Sequence, residues 1–263
     1  MLLNGLTNLN VELTSRCNKK CWMCGRRERD RLYGDLEYGD MEFSLVEDLA
    51  RETPSGIVVQ LHNNGESLLY PRLGEAISLF ANCVTNVVSN GKLLVEKAPE
   101  IIGNLDILSI SVIENDIEGD AQYQTIKRFL EMKKDQKPFT TLRFVGNVDT
   151  ARYEKFNLLT INRTIHAPKG SVNYRRAPTI PEIGVCWDFL TRLAVDRYGD
   201  VSVCVRFDPD RELVLGNLKD STLDDLWNCK KRLEMKALHC SGKRNEIPYC
   251  SDKCHYWGIP VNS

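Results

Sequence analysis

The chain has 263 residues, of which 42% are hydrophobic and 27% charged, and its 36 acidic and 35 basic residues nearly cancel. This composition excludes a disordered, collagen-like or small disulfide-stapled protein, and the balanced charge provides no overall field for nucleic acid or anionic lipid. The longest apolar runs, GIVVQL and DILSISVI, are too short to span a membrane, and the first residues lack the pattern of a signal peptide. We therefore expect a cytoplasmic protein with no membrane partner.

Short β-rich runs alternate with longer helical patterns over the first 150 residues. The predicted strands are mostly apolar and occupy residues 9–14, 55–63, 85–90, 105–113 and 139–147. Helical patterns lie between them at residues 44–52, 71–83, 93–102 and 121–134, with Pro71 at the first position of the second helix. This order predicts a mainly parallel sheet covered by helices, in the form of an open or closed barrel.

The pattern changes near residue 165, where a proline-rich stretch indicates a connection. Residues 191–205 alternate around a Tyr-Gly-Asp turn and predict a β-hairpin. Residues 222–238 predict a helix with Thr222 as its N-cap. We place a boundary near residue 180, which divides the chain into domains of residues 1–180 and 181–263.

The ten cysteines form two groups, because three lie close together near the start, Cys83 stands alone and six lie beyond residue 185. A reducing compartment leaves such thiols free to bind metals. The C-x3-C-x2-C spacing of Cys17, Cys21 and Cys24 places three thiolates on one loop directly after the first strand. Three ligands can hold a 4Fe-4S cluster and leave one iron open for a substrate or cosubstrate. The alternative is a zinc site completed by His62 or by a distant cysteine.

With Met23 before its last cysteine, the segment CNKKCWMC resembles the signature of the radical S-adenosylmethionine (SAM) superfamily. The resemblance implies a partial (β/α)6 TIM-like barrel, with a 4Fe-4S cluster on the three cysteines and SAM bound at the open iron. It also implies reductive cleavage of SAM to a 5'-deoxyadenosyl radical, which abstracts hydrogen from a substrate. An electron donor such as flavodoxin or ferredoxin is implied as a partner.

The segment NNGESLL is similar to the GGEP-type segment of this superfamily. Gly65 and Glu66 are therefore expected to meet the amino group of SAM, although Asn64 and Ser67 replace the usual first glycine and proline. Glycine allows the backbone to approach a ligand, and a carboxylate complements an ammonium group. Without the resemblance, Glu66 would be interpreted as a solvated loop acid.

Two further segments resemble SAM-binding motifs. VVSNG is similar to the segment that contacts the ribose and carboxylate, which implies roles for Ser89 and Asn90, and SISV favours Ser111. LRFVGN is a loose match to a segment that supports the adenine, and its Arg143 is equally compatible with a substrate-facing or a structural role. An Asn-Gly turn is the ordinary interpretation of VVSNG. All these motifs follow strand ends, which meet at one face of a parallel barrel.

The carboxyl-terminal cysteines resemble the SPASM/twitch extension of radical SAM enzymes, through the pattern C-x12-G-x4-C and the segment PYCSDKC. The resemblance implies a small α+β domain with an auxiliary 4Fe-4S cluster held by Cys186, Cys204, Cys250 and Cys254. Cys240 is a possible replacement for one of the four. A mixed zinc site is the alternative, with ligands drawn from His239, Cys240, Cys250, Cys254 and His255.

An auxiliary cluster with four thiolates has no open iron, so we expect it to transfer electrons. This favours an oxidation such as dehydrogenation over a rearrangement or epimerisation. The expected substrate is a small polar metabolite, with a peptide, a nucleotide or a nucleic-acid base as alternatives. A redox relay that binds SAM poorly is the non-enzymatic alternative, and no acid, histidine or lysine is identifiable as a catalytic base.

Overall fold

The computed structural model describes residues 3–26, 30–31, 34, 37–163, 185–204, 208 and 211–250. Within these residues the strands are β1 (Asn8–Val11), β2 (Val58–Gln60), β3 (Val84–Ser89), β4 (Ile107–Ile113), β5 (Phe139–Val145), β6 (Leu159–Arg163), β7 (Arg192–Val195), β8 (Asp200–Ser202) and β9 (Val214–Asn217). The α-helices are α1 (Phe43–Glu52), α2 (Leu73–Leu79), α3 (Ala98–Ile101), α4 (Gly119–Lys133), α5 (Trp187–Thr191), α6 (Leu223–Trp227) and α7 (Lys230–Cys240). Short 3-10 helices cover Ser67–Leu69, Ala151–Phe156 and Arg244–Glu246.

The strands form one sheet in the order β6-β5-β4-β3-β2-β1-β7-β8-β9. Strands β1 to β6 run parallel to their neighbours, and β7 pairs in parallel with the other side of β1. Strands β8 and β9 are antiparallel additions. The α/β class with a mainly parallel sheet is therefore confirmed, and the described part of the sheet is open, with β6 and β9 at its edges.

The core consists of apolar residues contributed by the parallel strands. Leu9, Val59, Val87, Leu108 and Leu142, one from each of the first five strands, are completely buried. A parallel sheet covered on both faces favours continuous apolar runs over alternation, which explains the apolar strands of this sequence.

Two predicted helices are shorter than their patterns indicated. Helix α2 begins at Leu73 after Arg72, so the prediction that Pro71 occupies the first helical position is wrong. Only Ala98–Ile101 of the predicted helix 93–102 is helical, with Pro99 in its first turn. Proline lacks an amide hydrogen and fits only the start of a helix.

The region of residues 222–238 contains two helices instead of one. Helix α6 ends at Trp227, and α7 begins at Lys230 with Cys229 as its N-cap residue. Thr222 is the N-cap of α6, as predicted, and forms a capping box with Asp225. The hairpin of β7 and β8 is also confirmed.

The predicted boundary near residue 180 lies outside the described residues, so the division into two domains remains a prediction. The sheet itself continues across it, because β7 pairs with β1. In the described ranges, no helix is both long enough and apolar enough to cross the hydrocarbon core of a membrane.

The capping box predicts a measurable effect of Thr222→Ala. The Thr222 hydroxyl accepts a hydrogen bond from the Asp225 amide at 3.1 Å, and the Asp225 carboxylate accepts one from the Thr222 amide at 3.2 Å. Since loss of an N-cap exposes helix donors, the variant should lose about 1 kcal/mol of unfolding free energy in anaerobic urea denaturation. Thr125→Ala is the control, because that hydroxyl only donates to Ala121 within α4. Equal losses in both variants would contradict the assignment.

Candidate functional site

The carboxyl ends of the parallel strands surround a cavity of about 310 Å³. This volume lies within the range of ligand pockets, which begins at roughly 300 Å³. Every residue predicted to bind the first cluster or SAM lines the cavity: Cys17, Cys21, Cys24, Gly65, Glu66, Ser89, Asn90 and Ser111. The fold thus brings together residues separated by up to ninety positions in the chain.

The three cysteines form a half-buried loop at one side of this cavity. The Cys24 amide donates to the Cys21 carbonyl at 3.2 Å, which bends the loop into a turn. The Asn90 amide nitrogen lies 3.9 Å from the Cys17 sulfur and also donates to Asn18 at 2.8 Å. Hydrogen bonding from β3 therefore holds the loop near the strand ends.

The chemistry of this donor set fits an iron-sulfur cluster. Burial raises the pKa of Cys21 to about 11, and the neighbouring Cys24 and Cys17 add to the increase. Bound metal replaces the thiol proton and relieves this penalty, since the thiolate is the ligand form. Among the described side chains, no three potential ligands converge on the position of a single metal ion. In a cluster each thiolate instead binds its own iron.

Gly65 is required by the protein backbone. A Cβ atom at this position would lie 1.9 Å from the Thr14 carbonyl oxygen and 2.8 Å from that of Arg16. The adjacent Glu66 amide donates to the Arg16 carbonyl at 2.8 Å. The sequence argument had attributed this glycine to ligand approach, whereas the structure identifies close contact with the segment that enters the cysteine loop.

Glu66 is buried, so its interpretation as a solvated loop acid is wrong. One carboxylate oxygen accepts from the Ser89 hydroxyl at 2.8 Å and the Leu68 amide at 3.2 Å, and the other accepts from the Asn90 amide at 2.7 Å. Burial raises its pKa, and the three hydrogen bonds oppose that increase. The second oxygen retains acceptor capacity for a ligand ammonium group.

Gln122 connects two of the cavity strands and was not identified from the sequence. Its buried side chain donates to the carbonyls of Asn90 at 2.7 Å and Ser111 at 2.8 Å. The glutamine lies on α4, within a helical pattern that contains no motif. Its role depends on how α4 packs against the ends of β3 and β4.

Three basic side chains complete the cavity lining, from His62, Arg143 and Arg163. His62 Nδ1 and Arg143 Nε are buried and have no hydrogen-bond partner among the described residues. Burial lowers the pKa of His62 to about 4 with a contribution from Arg143, and burial lowers the pKa of Arg143 to about 10 with a contribution from Arg163. Sequence analysis missed Arg163 because it missed strand β6.

The two departures from the superfamily motif have partners within the protein. The Asn64 side chain donates to the Glu12 carboxylate at 3.0 Å, and the Ser67 hydroxyl donates to the Leu61 carbonyl. Both substitutions are therefore integrated into the loop after β2.

A second cavity of about 250 Å³ adjoins the first and shares Asn63 and Asn64 with it. Its lining is polar and includes the carboxylates of Glu12, Asp196 and Asp200. Cys204 also lines it. This second cavity lies between the cysteine loop and the carboxyl-terminal cysteines.

Three of the four predicted auxiliary ligands converge on a separate small cavity. Cys186, Cys204 and Cys250 line it, together with the apolar or aromatic residues Phe189, Val203, Leu213 and Tyr249. Cys254 lies outside the described residues. An apolar shell of this kind controls the dielectric around a cluster, so the donor set fits an auxiliary iron-sulfur site.

Neither His239 nor Cys240 lines this cavity. Cys240 is exposed at the end of α7. His239 is buried, its Nδ1 accepts from the Cys186 amide at 3.4 Å, and its ring stacks on Phe189 with centroids 4.3 Å apart. The histidine thus supports the segment of Cys186 from outside the cavity.

Comparisons with known proteins agree with these sites. The SPASM family, an iron-sulfur cluster-binding domain, matches residues 186–255. The chain is 22% identical over 252 residues to the S-adenosyl-L-methionine-dependent 2-deoxy-scyllo-inosamine dehydrogenase of Niallia circulans, with 93% of this chain and 91% of that protein covered. This chain belongs to the radical SAM superfamily, in the subgroup that carries a SPASM domain.

Solved structures with the same fold include two radical SAM proteins. BtrN in complex with AdoMet and 2-DOIA has a TM-score of 0.60 and 16% identity, over 97% of this chain and 95% of that one. The anSMEcpe structure with bound AdoMet has a TM-score of 0.61 and 17% identity, over 94% of this chain and 88% of that one. The radical SAM fold therefore extends over nearly the whole chain.

For this radical SAM protein we predict that Gly65→Ala is strongly destabilising. The new methyl group would overlap the Thr14 carbonyl, and separating the two backbones costs roughly 1–3 kcal/mol or more. Gly119→Ala is the matched control, because its Cβ would meet only the Asp116 Cβ, at 4.0 Å. Thermal unfolding of both variants measures the difference, and equal midpoints would contradict the backbone contact.

The buried histidines predict a loss of stability in mild acid. Burial lowers the pKa of His239 to about 4, from 6.5, so the folded state binds its proton less readily than the unfolded state. The stabilisation is present above pH 6.5 and is lost as the pH falls towards 4, by on the order of 3 kcal/mol. In His239→Gln, the free energy of unfolding should change less between pH 7 and pH 4.5. Thr222→Ala, which removes no titrating group, should keep the wild-type pH dependence, and the same dependence in all three proteins would refute the prediction.

Proposed function

We propose that this protein is an oxidoreductase that removes hydrogen from a small polar biosynthetic substrate by radical SAM chemistry, in a dehydrogenation assisted by an auxiliary 4Fe-4S cluster. The observation that carries the proposal is the convergence of three thiols and the Glu66 network on one cavity. An electron donor such as flavodoxin or ferredoxin is the expected partner.

Each cavity residue has a distinct role in this proposal. Cys17, Cys21 and Cys24 hold a 4Fe-4S cluster, which together with SAM supplies the 5'-deoxyadenosyl radical. Glu66 accepts hydrogen bonds from the SAM ammonium group, and its buried bonds to β3 keep the carboxylate oriented before SAM arrives. Ser89, Asn90 and Ser111 lie on the strand ends beside it and supply polar contacts to the rest of SAM.

The second cavity is where we place the substrate. Its carboxylates and amides suit a small molecule with several hydroxyl or amino groups, since each such group needs a polar partner when it is buried. Its size also favours a metabolite over a peptide. The similar Niallia protein is named as a dehydrogenase of an inosamine, which is a small molecule of this kind.

Oxidation of a substrate alcohol to a carbonyl removes one hydrogen atom, one proton and one electron. The hydrogen atom goes to the deoxyadenosyl group, and the carboxylates of the second cavity, from Glu12, Asp196 and Asp200, are candidate proton acceptors. The remaining electron goes to the auxiliary cluster, which we assign to Cys186, Cys204, Cys250 and Cys254. Cys204 lines both the second cavity and the auxiliary site, which gives a short route for that electron.

A nucleic-acid base is a weaker alternative as substrate. Arg26, part of the basic cluster that suggested this class, is buried, and its guanidinium stacks over the Tyr38 ring at 4.1 Å. The other basic segment, Arg175 and Arg176, lies outside the described residues. Peptide cross-linking or epimerisation, and redox relay without SAM cleavage, are separated from dehydrogenation by their products.

Formation of 5'-deoxyadenosine tests the proposal directly. Anaerobic protein with dithionite and SAM should produce it, and Cys21→Ala should abolish it because one cluster ligand is lost. Cys240→Ala is the matched control, since Cys240 is exposed and lies outside both cysteine sites. It should retain the product and roughly eight irons per chain, the sum of two 4Fe-4S clusters. A wild-type protein that keeps its first cluster but forms no 5'-deoxyadenosine would be a relay.

A further inference from the structure

A buried ion pair lies inside the cysteine loop. Lys19, between Cys17 and Cys21, pairs with Asp116 in the loop after β4. The side chains of Lys19 and Asp116 are only 6% and 8% exposed, respectively. Lys19 also lines the first cavity, so this pair lies next to the cluster ligands.

The position of Asp116 is set by the start of α4. Its carboxylate accepts from the Glu118 amide at 3.1 Å, and its carbonyl accepts from the Gly119 amide at 3.0 Å. The pair therefore connects the flexible side chain of Lys19 to a well-bonded turn. A buried ion pair is often no more stabilising than apolar residues of similar size, so stability alone does not explain its presence here.

Both charges act on the cluster ligands. Burial is the main reason for the raised pKa of Cys21, while Lys19 lowers that pKa and Asp116 raises it. Lys19 also lowers the pKa of Glu66. Such interactions are weakly screened in a buried site, so the two charges have opposite effects on the potential at the cysteine loop.

We propose that the Lys19–Asp116 pair sets the reduction potential of the cluster on Cys17, Cys21 and Cys24 by presenting two opposed charges that largely cancel. This inference rests on the proposed function, because it requires that cluster. Reduction adds one electron and makes the cluster more negative. An unpaired Lys19 would stabilise the reduced form, and an unpaired Asp116 would destabilise it. Lys19 and Asp116 are thus positioning residues that adjust how readily the electron donor reduces the cluster.

The proposal predicts shifts of opposite sign. Asp116→Asn leaves the lysine unpaired and should raise the midpoint potential, whereas Lys19→Met leaves the aspartate unpaired and should lower it. The double variant removes both charges and should return close to the wild-type potential. The measurement is an EPR-monitored redox titration of the anaerobic holoenzyme, which follows the cluster signal that changes when SAM is added.

A second ion pair on the same loop provides a matched control. Lys92 donates to the Asn18 carbonyl at 3.3 Å and pairs with Glu118. Its side chains are 32% and 39% exposed, so solvent screens their charges. Lys92→Met and Glu118→Gln should therefore leave the midpoint potential nearly unchanged.

The outcomes separate the inference from the function on which it rests. A merely structural pair would give equal shifts in one direction, or none, in the two single variants, and either result overturns the proposal. If the single variants lose the cluster because a buried charge is unpaired, the double variant decides: it should retain wild-type iron and potential, and its loss of the cluster overturns the proposal. A wild-type protein without any SAM-responsive signal would overturn the proposed function and the inference with it.

Discussion

The cysteine loop is connected to the rest of the cavity by a backbone contact that only glycine permits. Gly65 lies so close to the Thr14 carbonyl that a Cβ atom would be 1.9 Å away. The next residue, Glu66, donates its amide to Arg16 at 2.8 Å. Since Arg16 immediately precedes Cys17, this contact determines where the loop leaves β1. The buried carboxylate of Glu66 then extends the connection to β3, so that three strand ends form one wall.

The charged groups around the first cavity are arranged with little exposure to water. Lys19 is paired with Asp116, Glu66 is hydrogen-bonded three times, and burial keeps His62 uncharged at neutral pH. Charges in such a site interact more strongly than they would in solvent. A cationic sulfonium and a cluster that changes charge would therefore meet groups that are already oriented, with little reorganisation needed.

The hairpin of β7 and β8 links the two cysteine sites. Strand β7 continues the parallel sheet beside β1, and the chain then reverses at Gly199, whose φ of +90° favours glycine. The reversal brings Cys204 back towards Cys186 at one cavity while the same residue lines the second cavity. One sheet thus places the proposed substrate position between a radical-forming site and an electron acceptor.

Local sequence predicted well the features that depend on neighbouring residues. The Thr222 cap and the Gly199 turn follow from short-range backbone preferences. The spacing of the cysteines likewise indicated the first site. Strand β6, Leu159–Arg163, was missed because it is a mostly exposed edge strand without an apolar run.

The sequence by itself determined the order of strands and helices, the turn and cap residues, and the motif positions at the strand ends, because each depends on residues within a few positions of one another. Only the tertiary structure decided that Lys19 pairs with Asp116, 97 positions away, and that Thr14 leaves no room for a side chain at residue 65. Those contacts depend on the register of parallel strands and on loop packing. No local pattern encodes them, since both partners are ordinary loop residues until the sheet brings them together.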